Sequence, residues 1–251
     1  MRILLTLEYD GTGLIGFQKN EQGPSVQSLV ENAILEFCGE QVDVVGCGRT
    51  DAGVHALAMP AHFDIAKEET PDTIRAALNF YLRESSVAVL SAERVADDFH
   101  ARFSATARHY RYDILNRRSP SKLLANRAWW VPRPLDMDKM ISESKKLLGQ
   151  HDFNSFRSTE CQAKSPVKTL DAVRIEKNGD MLSFYFSARS FLHHQVRNMV
   201  GTLVDIGLGK PMDINSILDA KNRTAAGQTA PACGLYFVSA DYAKGGVPGR
   251  I

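Results

Sequence analysis

The sequence has few cysteines and no long apolar run. Only four of its 251 residues are cysteine, and no two are spaced C-x-x-C, which argues against a disulfide framework and a zinc ribbon. No segment approaches the roughly 20 apolar residues of a membrane span. Residues 3–7 are too few for the apolar core of a signal peptide. We therefore expect a cytoplasmic protein with no membrane partner.

A charge excess of one sign is also lacking. Thirty Lys and Arg against 29 Asp and Glu give a formal net charge of +1, so no overall field indicates a polyanionic partner. Residues 101–133, the basic segment, are the exception, with eight basic residues and one acidic residue, Asp113. The basic residues are Arg102, Arg108, Arg111, Arg117, Arg118, Lys122, Arg127 and Arg133. This segment is expected to bind a polyanion.

The first half of the chain alternates strand and helix patterns. Apolar residues alternate over 2–9, which predicts a strand that ends in the turn cluster 10–13. Helical spacing follows between an N-cap, Ser25, and a C-terminal Gly39. Strands are predicted at 42–45, 62–65 and 87–90, and Thr70 followed by Pro71 opens a second helix.

The second half repeats this order. It predicts a strand at 108–115, a helix from Asp136 to Gly149, and a hairpin of 173–177 with 182–186 joined through Asn178-Gly179. Further predictions are an apolar helix carrying Val196, Val200, Leu203 and Val204, a short helix at 214–218 and a strand at 235–238. We therefore expect an α+β fold of two ferredoxin-like β-α-β-β-α-β halves, with mainly antiparallel sheet and helices on one side. The predicted boundaries are 1–105, 106–242 and a loose tail, 243–251.

Residues 46–55, Gly-Cys-Gly-Arg-Thr-Asp-Ala-Gly-Val-His, form a polar loop between two apolar strands. They supply a cation, Arg49, and a carboxylate, Asp51, in a glycine-rich setting typical of functional loops. Chemistry alone favours a plainer interpretation, in which Asp51 makes an Asx-turn and Arg49 is solvated. No Gly-Lys-Ser/Thr follows, so a phosphate-binding P-loop is not indicated.

Two further segments carry candidate groups. Strand alternation places Arg108, Tyr110 and Tyr112 on one face, where arginines and aromatics would suit phosphate contact and base stacking, or simply half-buried packing. In the apolar helix, Arg197 falls at the rim of the apolar stripe, where it needs an anion or extends to water. His193 and His194 are adjacent and expected to point apart, so they indicate zinc only weakly.

Taken together, these segments resemble the TruA-type tRNA pseudouridine synthases from Leu5 to about Tyr242. The motifs that carry the resemblance are Tyr9-Asp10-Gly11-Thr12, Gly16-Phe17-Gln18, Gly48-Arg49-Thr50-Asp51-Ala52-Gly53-Val54-His55-Ala56, Phe99-His100-Ala101-Arg102-Phe103-Ser104-Ala105, Arg108-His109-Tyr110-Arg111-Tyr112, His151-Asp152-Phe153, residues 191–201, Ala230-Pro231 and Gly234-Leu235. The sequence departs from the family pattern at Phe17, where Trp is usual, and at His193 and Gln195, where Tyr and Met are frequent.

The resemblance implies isomerisation of uridine to pseudouridine at positions 38, 39 and 40 of the anticodon stem-loop of tRNA. Asp51 matches the catalytic carboxylate, Arg197 the arginine that pairs with it, and Tyr110 the tyrosine that stacks on the base. Arg49 resembles the residue that moves with the flipped base or takes its place in the stem. Leu235 resembles the apolar wall of the pocket.

The resemblance also implies a homodimer with each tRNA lying across both subunits. The basic segment would then be the phosphate track, with Arg102, Arg108, Arg117 and Arg118 as candidate contacts. The reaction is redox-neutral and transfers no group away, so no cofactor and no metal are expected. Whether Asp51 attacks C1′ or removes a ribose proton stays open.

Two other functions compete with this interpretation. A non-catalytic RNA-binding protein could use the same sheet and basic segment, but it would gain nothing from a carboxylate facing a phosphodiester. A metal-dependent hydrolase built on His55, His193 and His194 is disfavoured by the spacing of these residues.

Overall fold

The computed structural model describes residues 1–243. The chain divides into two compact units. The first unit is Met1–Arg108 together with residues 236–243, and the second is His109–Leu235.

Helices and strands are interspersed along the described chain. In chain order they are β1 (Arg2–Tyr9), α1 (Val26–Cys38), β2 (Val45–Gly46), β3 (His55–Asp64), α2 (Pro71–Leu82), β4 (Val87–Val95), β5 (Ala105–Leu115), β6 (Trp129–Trp130), α3 (Met137–Lys145), β7 (Gly149–Asp152), β8 (Val167–Asn178), β9 (Met181–Ala188), α4 (Gln195–Gly207), α5 (Ile214–Ala220) and β10 (Leu235–Tyr242). No helix of residues 1–243 combines the length and apolar character needed to cross a membrane.

The first unit has the strand order β4-β1-β3, with β2 antiparallel to β3 and β10 parallel to it. Helices α1 and α2 pack against each other. This is the predicted β-α-β-β-α-β arrangement. Leu5, Leu7 and Ile34 are fully buried in its core.

Local capping explains why the first two helices begin where they do. The Ser25 hydroxyl accepts a hydrogen bond from the Ser28 N–H at 3.1 Å, and α1 ends at Gly39 with φ 76°. Thr70 accepts from the Thr73 N–H at 3.2 Å, with Pro71 at the first helical position. These predicted boundaries are confirmed.

In the second unit the strand order is β5-β9-β8-β7, and α3 packs against α4. Asn178 pairs with Met181, so the hairpin loop is Gly179-Asp180, one residue later than predicted. Gly179 takes the positive φ, 57°, that the turn requires. Helix α3 ends at Lys145, before the predicted Gly149, because Gly149 already pairs with Leu170 as the start of β7.

The α+β class with mostly antiparallel pairing is confirmed. Strand β3, however, begins at His55 and not at the predicted residue 62. It is buried on both faces along most of its length, so its first half lacks the alternation that marks a half-buried strand.

The division into units differs from the predicted boundaries at the C-terminal strand. Residues 236–242 were expected in the second half but lie in the first unit. The reason is pairing: Tyr236 and Phe237 run parallel to His55 and Ala56 of β3. The predicted loose tail, 243–251, lies outside the described residues from position 244 onward.

Candidate active site

The polar loop 46–55 lies in the first unit, between the end of β2 and the start of β3. Exposure alternates along its centre: Arg49 is exposed, Thr50 is buried and Asp51 is half-buried. The Val54 N–H donates to the Asp51 carbonyl at 3.1 Å and closes a turn at the carboxylate-bearing residue. Asp51 therefore sits on a turn closed by its backbone carbonyl, and its side chain is still partly accessible.

Residues 10–18, the bracing loop, hold the polar loop in place. The Tyr9 and Thr50 hydroxyls form a buried hydrogen bond of 2.8 Å. The Phe17 N–H donates to the Thr50 carbonyl at 3.0 Å, and Gly16 forms an isolated β-bridge with Asp51. Thr50 is thus fixed through both its side chain and its backbone, which restricts where Asp51 can place its carboxylate.

Two glycines allow the bracing loop to approach this closely. A Cβ on Gly16, whose φ is 108°, would lie 2.5 Å from the Thr50 carbonyl oxygen. A Cβ on Gly11 would lie 2.2 Å from the carbonyl oxygen of Val54. Any side chain at either position would push the two loops apart, so these glycines are required by the packing.

His55 holds the far end of the polar loop. Its Nδ1 accepts a hydrogen bond from the Gly11 N–H at 3.0 Å, and its buried ring stacks on Tyr236 with centroids 4.8 Å apart. His55 therefore contributes to the fold of the first unit. This use differs from the ligand role that the hydrolase interpretation gave it.

The two tyrosines of β5 differ in accessibility. Tyr112 is fully buried and donates its hydroxyl to the Pro231 carbonyl at 2.7 Å, and burial raises the pKa of Tyr112 far above its usual value. Tyr110 is half-buried, with its ring edge-to-face against Phe191 at a centroid distance of 5.0 Å. Tyr110 is thus the more accessible of the two tyrosines, while Tyr112 has a structural role.

Arg197 is anchored to the backbone of the second unit. Its Nε donates to the Ala230 carbonyl at 2.8 Å, and the Ala230 N–H donates back to the Arg197 carbonyl at 3.1 Å. The side chain is half-buried. The Nε bond orients the guanidinium, unlike the freely extended side chain considered from sequence, and the backbone bond holds the main chain of Arg197 against Ala230.

Helix α4 carries a buried polar face that sequence reasoning missed. Asn198, Thr202 and Asp205 are all at most 2% exposed, although the helix was predicted only as an apolar element. Their spacing, i, i+4 and i+7, places them on one side of a helix. Polar residues at that spacing inside an apolar helix were the available signal.

This polar face binds the chain segment 227–230 residue by residue. The bonded pairs are Gly227 N–H to Thr202 Oγ1 (2.9 Å), Gln228 N–H to Asp205 Oδ2 (3.3 Å), Thr229 Oγ1 to Asn198 Oδ1 (2.7 Å) and Ala230 N–H to the Arg197 carbonyl (3.1 Å). The guanidinium of Arg223 adds donors to Asn198, Thr229 and Gly227. The segment that orients Arg197 is therefore itself fixed to α4, and it continues through Pro231 to Leu235, which is buried at the start of β10.

The cations of the basic segment differ in exposure and in their partners. Arg108 is buried and donates to the carbonyls of Cys47 and Arg102, so its guanidinium serves the fold and is not a phosphate contact in our proposal. Arg111 forms an ion pair with Asp113 at 3.0 Å. Arg102 is exposed in the first unit.

The remaining cations of the basic segment lie on residues 116–133, here called the basic loop. Asn116 donates to the carbonyls of Val131 and Arg133 at 2.8 and 2.7 Å, and Trp130 donates to the Arg117 carbonyl at 2.9 Å. Five basic side chains of this loop are exposed: Arg117, Arg118, Lys122, Arg127 and Arg133. The loop is thus internally braced and has no acidic residue.

The expectation that His193 and His194 point apart is wrong. Their ring centroids are 4.1 Å apart. His194, the N-cap residue of α4, has a left-handed backbone with φ 62°. The left-handed turn brings the two adjacent side chains together.

A family model and two relatives give a consistent result. Residues 6–104 and 144–243 match the family model described as tRNA pseudouridine synthase. The chain is 55% identical over 240 residues to tRNA pseudouridine synthase A of Rhodospirillum centenum, covering 95% of this chain and 98% of that protein. It is 49% identical over 246 residues to the protein of the same name from Brucella ovis, covering 96% and 98%. A chain of a solved Cbf5-Nop10-Gar1 complex is 11% identical with a TM-score of 0.41, and the present chain spans about half of it: 94% of this chain and 48% of that chain are covered.

Proposed function

Because the chain belongs to the family of tRNA pseudouridine synthases, we propose that it modifies positions 38, 39 and 40 of the tRNA anticodon stem-loop with Asp51 as catalytic carboxylate. The protein is an isomerase that converts uridine in tRNA to pseudouridine. The observation that supports Asp51 most directly is the double fixation of its neighbour Thr50 by Tyr9 and Phe17. A carboxylate on a restrained turn is held in a fixed position, so it is pre-organised to react at one atom of a bound substrate.

The reaction breaks the N1–C1′ bond, turns the detached uracil and joins C5 to C1′. The proton on C5 leaves and N1 gains one, so atoms and electrons balance without a co-reactant. A carboxylate can serve by attack at C1′ or by removal of a ribose proton. Either role needs Asp51 in its ionised form.

The other proposed roles follow from the resemblance and suit the local geometry of each residue. Tyr110 stacks on the base with one face of its half-buried ring. Arg49 is exposed, as a residue that takes part in extruding a base from a stem must be. Leu235 supplies apolar surface. The resemblance gives Arg197 the role of pairing with the catalytic carboxylate, and its guanidinium is already held by the Ala230 carbonyl.

The proposal is tested by mapping pseudouridine in tRNA incubated with the purified protein alone, with and without EDTA. We expect modification at positions 38–40 in both samples. Binding without any modification would favour the non-catalytic RNA-binding protein. Loss of modification in EDTA would favour a metal-dependent reaction.

Replacing Tyr110 by phenylalanine is expected to leave tRNA affinity unchanged and to slow product formation about tenfold or more. The ring and its contact with Phe191 stay, while a hydroxyl that helps the C5 proton leave is lost. Single-turnover rates and gel-shift affinities measure the two effects, with Tyr185→Phe as control. Equal losses of rate and affinity would show that the hydroxyl is structural.

Binding of tRNA is expected to weaken with salt through the basic loop. If about four phosphates are contacted, the logarithm of the binding constant should fall with a slope of roughly −3 to −4 against the logarithm of salt concentration. Charge reversal at Arg117 and Arg118 should flatten the slope by about one or two units. Arg174→Glu, at an exposed site on β8, is the control. A wild-type slope near zero would contradict the phosphate contacts.

We also propose that the enzyme is a cytoplasmic homodimer. All four cysteines lie within the described residues and are free thiols, which fits a reducing compartment. The family resemblance supports the dimer.

A further inference from the structure

Phe103 is an aromatic side chain held out into solvent. It is 74% exposed, more than any other large apolar residue of 1–243 except Leu123. It lies in the first unit, on the turn between β4 and β5. Exposing an aromatic ring to this extent forgoes the stabilisation that burial would give, so the position invites a functional explanation.

On the side facing the protein, the Phe103 ring contacts the imidazole of His100, which in turn contacts that of His62. The Phe103 and His100 ring centroids are 4.3 Å apart, and His100 lies 4.8 Å from the buried His62. Burial lowers the pKa of His100, and Arg2 and Arg102 act in the same direction. A neutral His100 can accept hydrogen bonds at Nδ1 from the N–H groups of Arg102 and Phe103, at 3.1 and 3.3 Å.

The turn that carries Phe103 is fixed by further bonds. Ser104 and His100 bond reciprocally: the Ser104 N–H donates to the His100 carbonyl at 2.9 Å, and Ser104 Oγ accepts from the His100 N–H at 3.0 Å. Ala101 donates to His62 Nδ1 at 3.2 Å and accepts from the Tyr242 hydroxyl at 2.8 Å. The exposed ring is therefore pre-organised, and a partner would pay little entropy to order it.

We infer that Phe103 is a stacking site for an unpaired nucleobase of the tRNA, with Arg102 meeting the adjacent phosphate. Base faces are accessible only in unpaired nucleotides, and an exposed aromatic ring beside a cation matches a base with its phosphate. Arg102 is exposed, with its guanidinium 5.8 Å from the ring centroid, and residues 99–112 contain no acidic residue. The inference rests on the proposed function in taking tRNA as the ligand.

The test compares Phe103→Leu and Phe103→Trp with wild type in tRNA binding across a salt series. Leucine keeps apolar bulk but cannot stack, so we expect binding weaker by roughly five- to a hundredfold, and Trp should restore it. Stacking releases no counterion, so the salt slope should be the same in all three proteins. Arg102→Gln should instead flatten the slope by about one unit.

Phe80→Leu is the matched control. Phe80 is 59% exposed in the same unit, with the Arg83 guanidinium 4.5 Å from its ring. The Phe80→Leu variant should bind tRNA like wild type. Wild-type affinity in Phe103→Leu would overturn the inference. The inference would also be overturned if Phe103→Leu changed the molecular mass of the protein in solution and this change accounted for the whole loss of tRNA binding. Phe103 would then contact a second copy of the chain. Failure of the wild type to form pseudouridine would count against the proposed function, independently of the Phe103 comparison.

Discussion

Asp51→Asn is expected to lower pseudouridine formation by at least about three orders of magnitude while tRNA binding survives. Asparagine is neither a useful nucleophile nor a base, and removal of such a group typically costs about this much rate. The change is nearly isosteric. The bonds that hold the turn run through Thr50 and the Asp51 backbone, so the fold should persist. Affinity should change by less than about tenfold, because phosphate contacts and stacking lie on other residues.

Single-turnover product formation and gel-shift affinity give the two measurements, with unfolding midpoints to confirm the fold. Asp43→Asn is the control, since its carboxylate is 86% exposed and pairs with Lys19 at 3.5 Å in the same unit. If purified Asp51→Asn still isomerised tRNA at a comparable rate, Asp51 would be a structural turn residue and the proposed mechanism would be wrong.

Local signals in the sequence predicted the helix boundaries well, because residues such as capping serines and glycines have one well-defined structural role there. Ser25, Gly39, Thr70 and Pro71 marked helix ends because capping depends on side chains within a few residues. The start of β3 was missed because a strand buried on both faces has no alternation to detect. The placement of residues 236–242 was missed because a local sequence pattern does not show which distant strand a segment pairs with.

The candidate site was predicted less evenly. The polar loop could be found because small, charged and glycine residues cluster in sequence there. The packing of the bracing loop and the bonds from α4 to residues 227–230 depend on the fold, so spacing alone gave at most a hint. Arg108 shows the same limit: composition counted it as a surface cation, whereas burial and two carbonyl acceptors make it part of the core.

Arg197→Lys is expected to fold and to lose at least about a hundredfold in the rate of pseudouridine formation. A lysine keeps the charge but not the planar fork, so it cannot donate to the Ala230 carbonyl and still offer two further donors of fixed geometry to a carboxylate. Two charge-assisted bonds of about 1.5–3 kcal/mol each account for a loss of that size. Arg174→Lys, at an exposed site in the same unit, should keep wild-type activity. Single-turnover rates at saturating enzyme separate this loss from any change in affinity. Wild-type turnover in Arg197→Lys would show that the guanidinium only ties α4 to Ala230, and that Asp51 is oriented by its own turn.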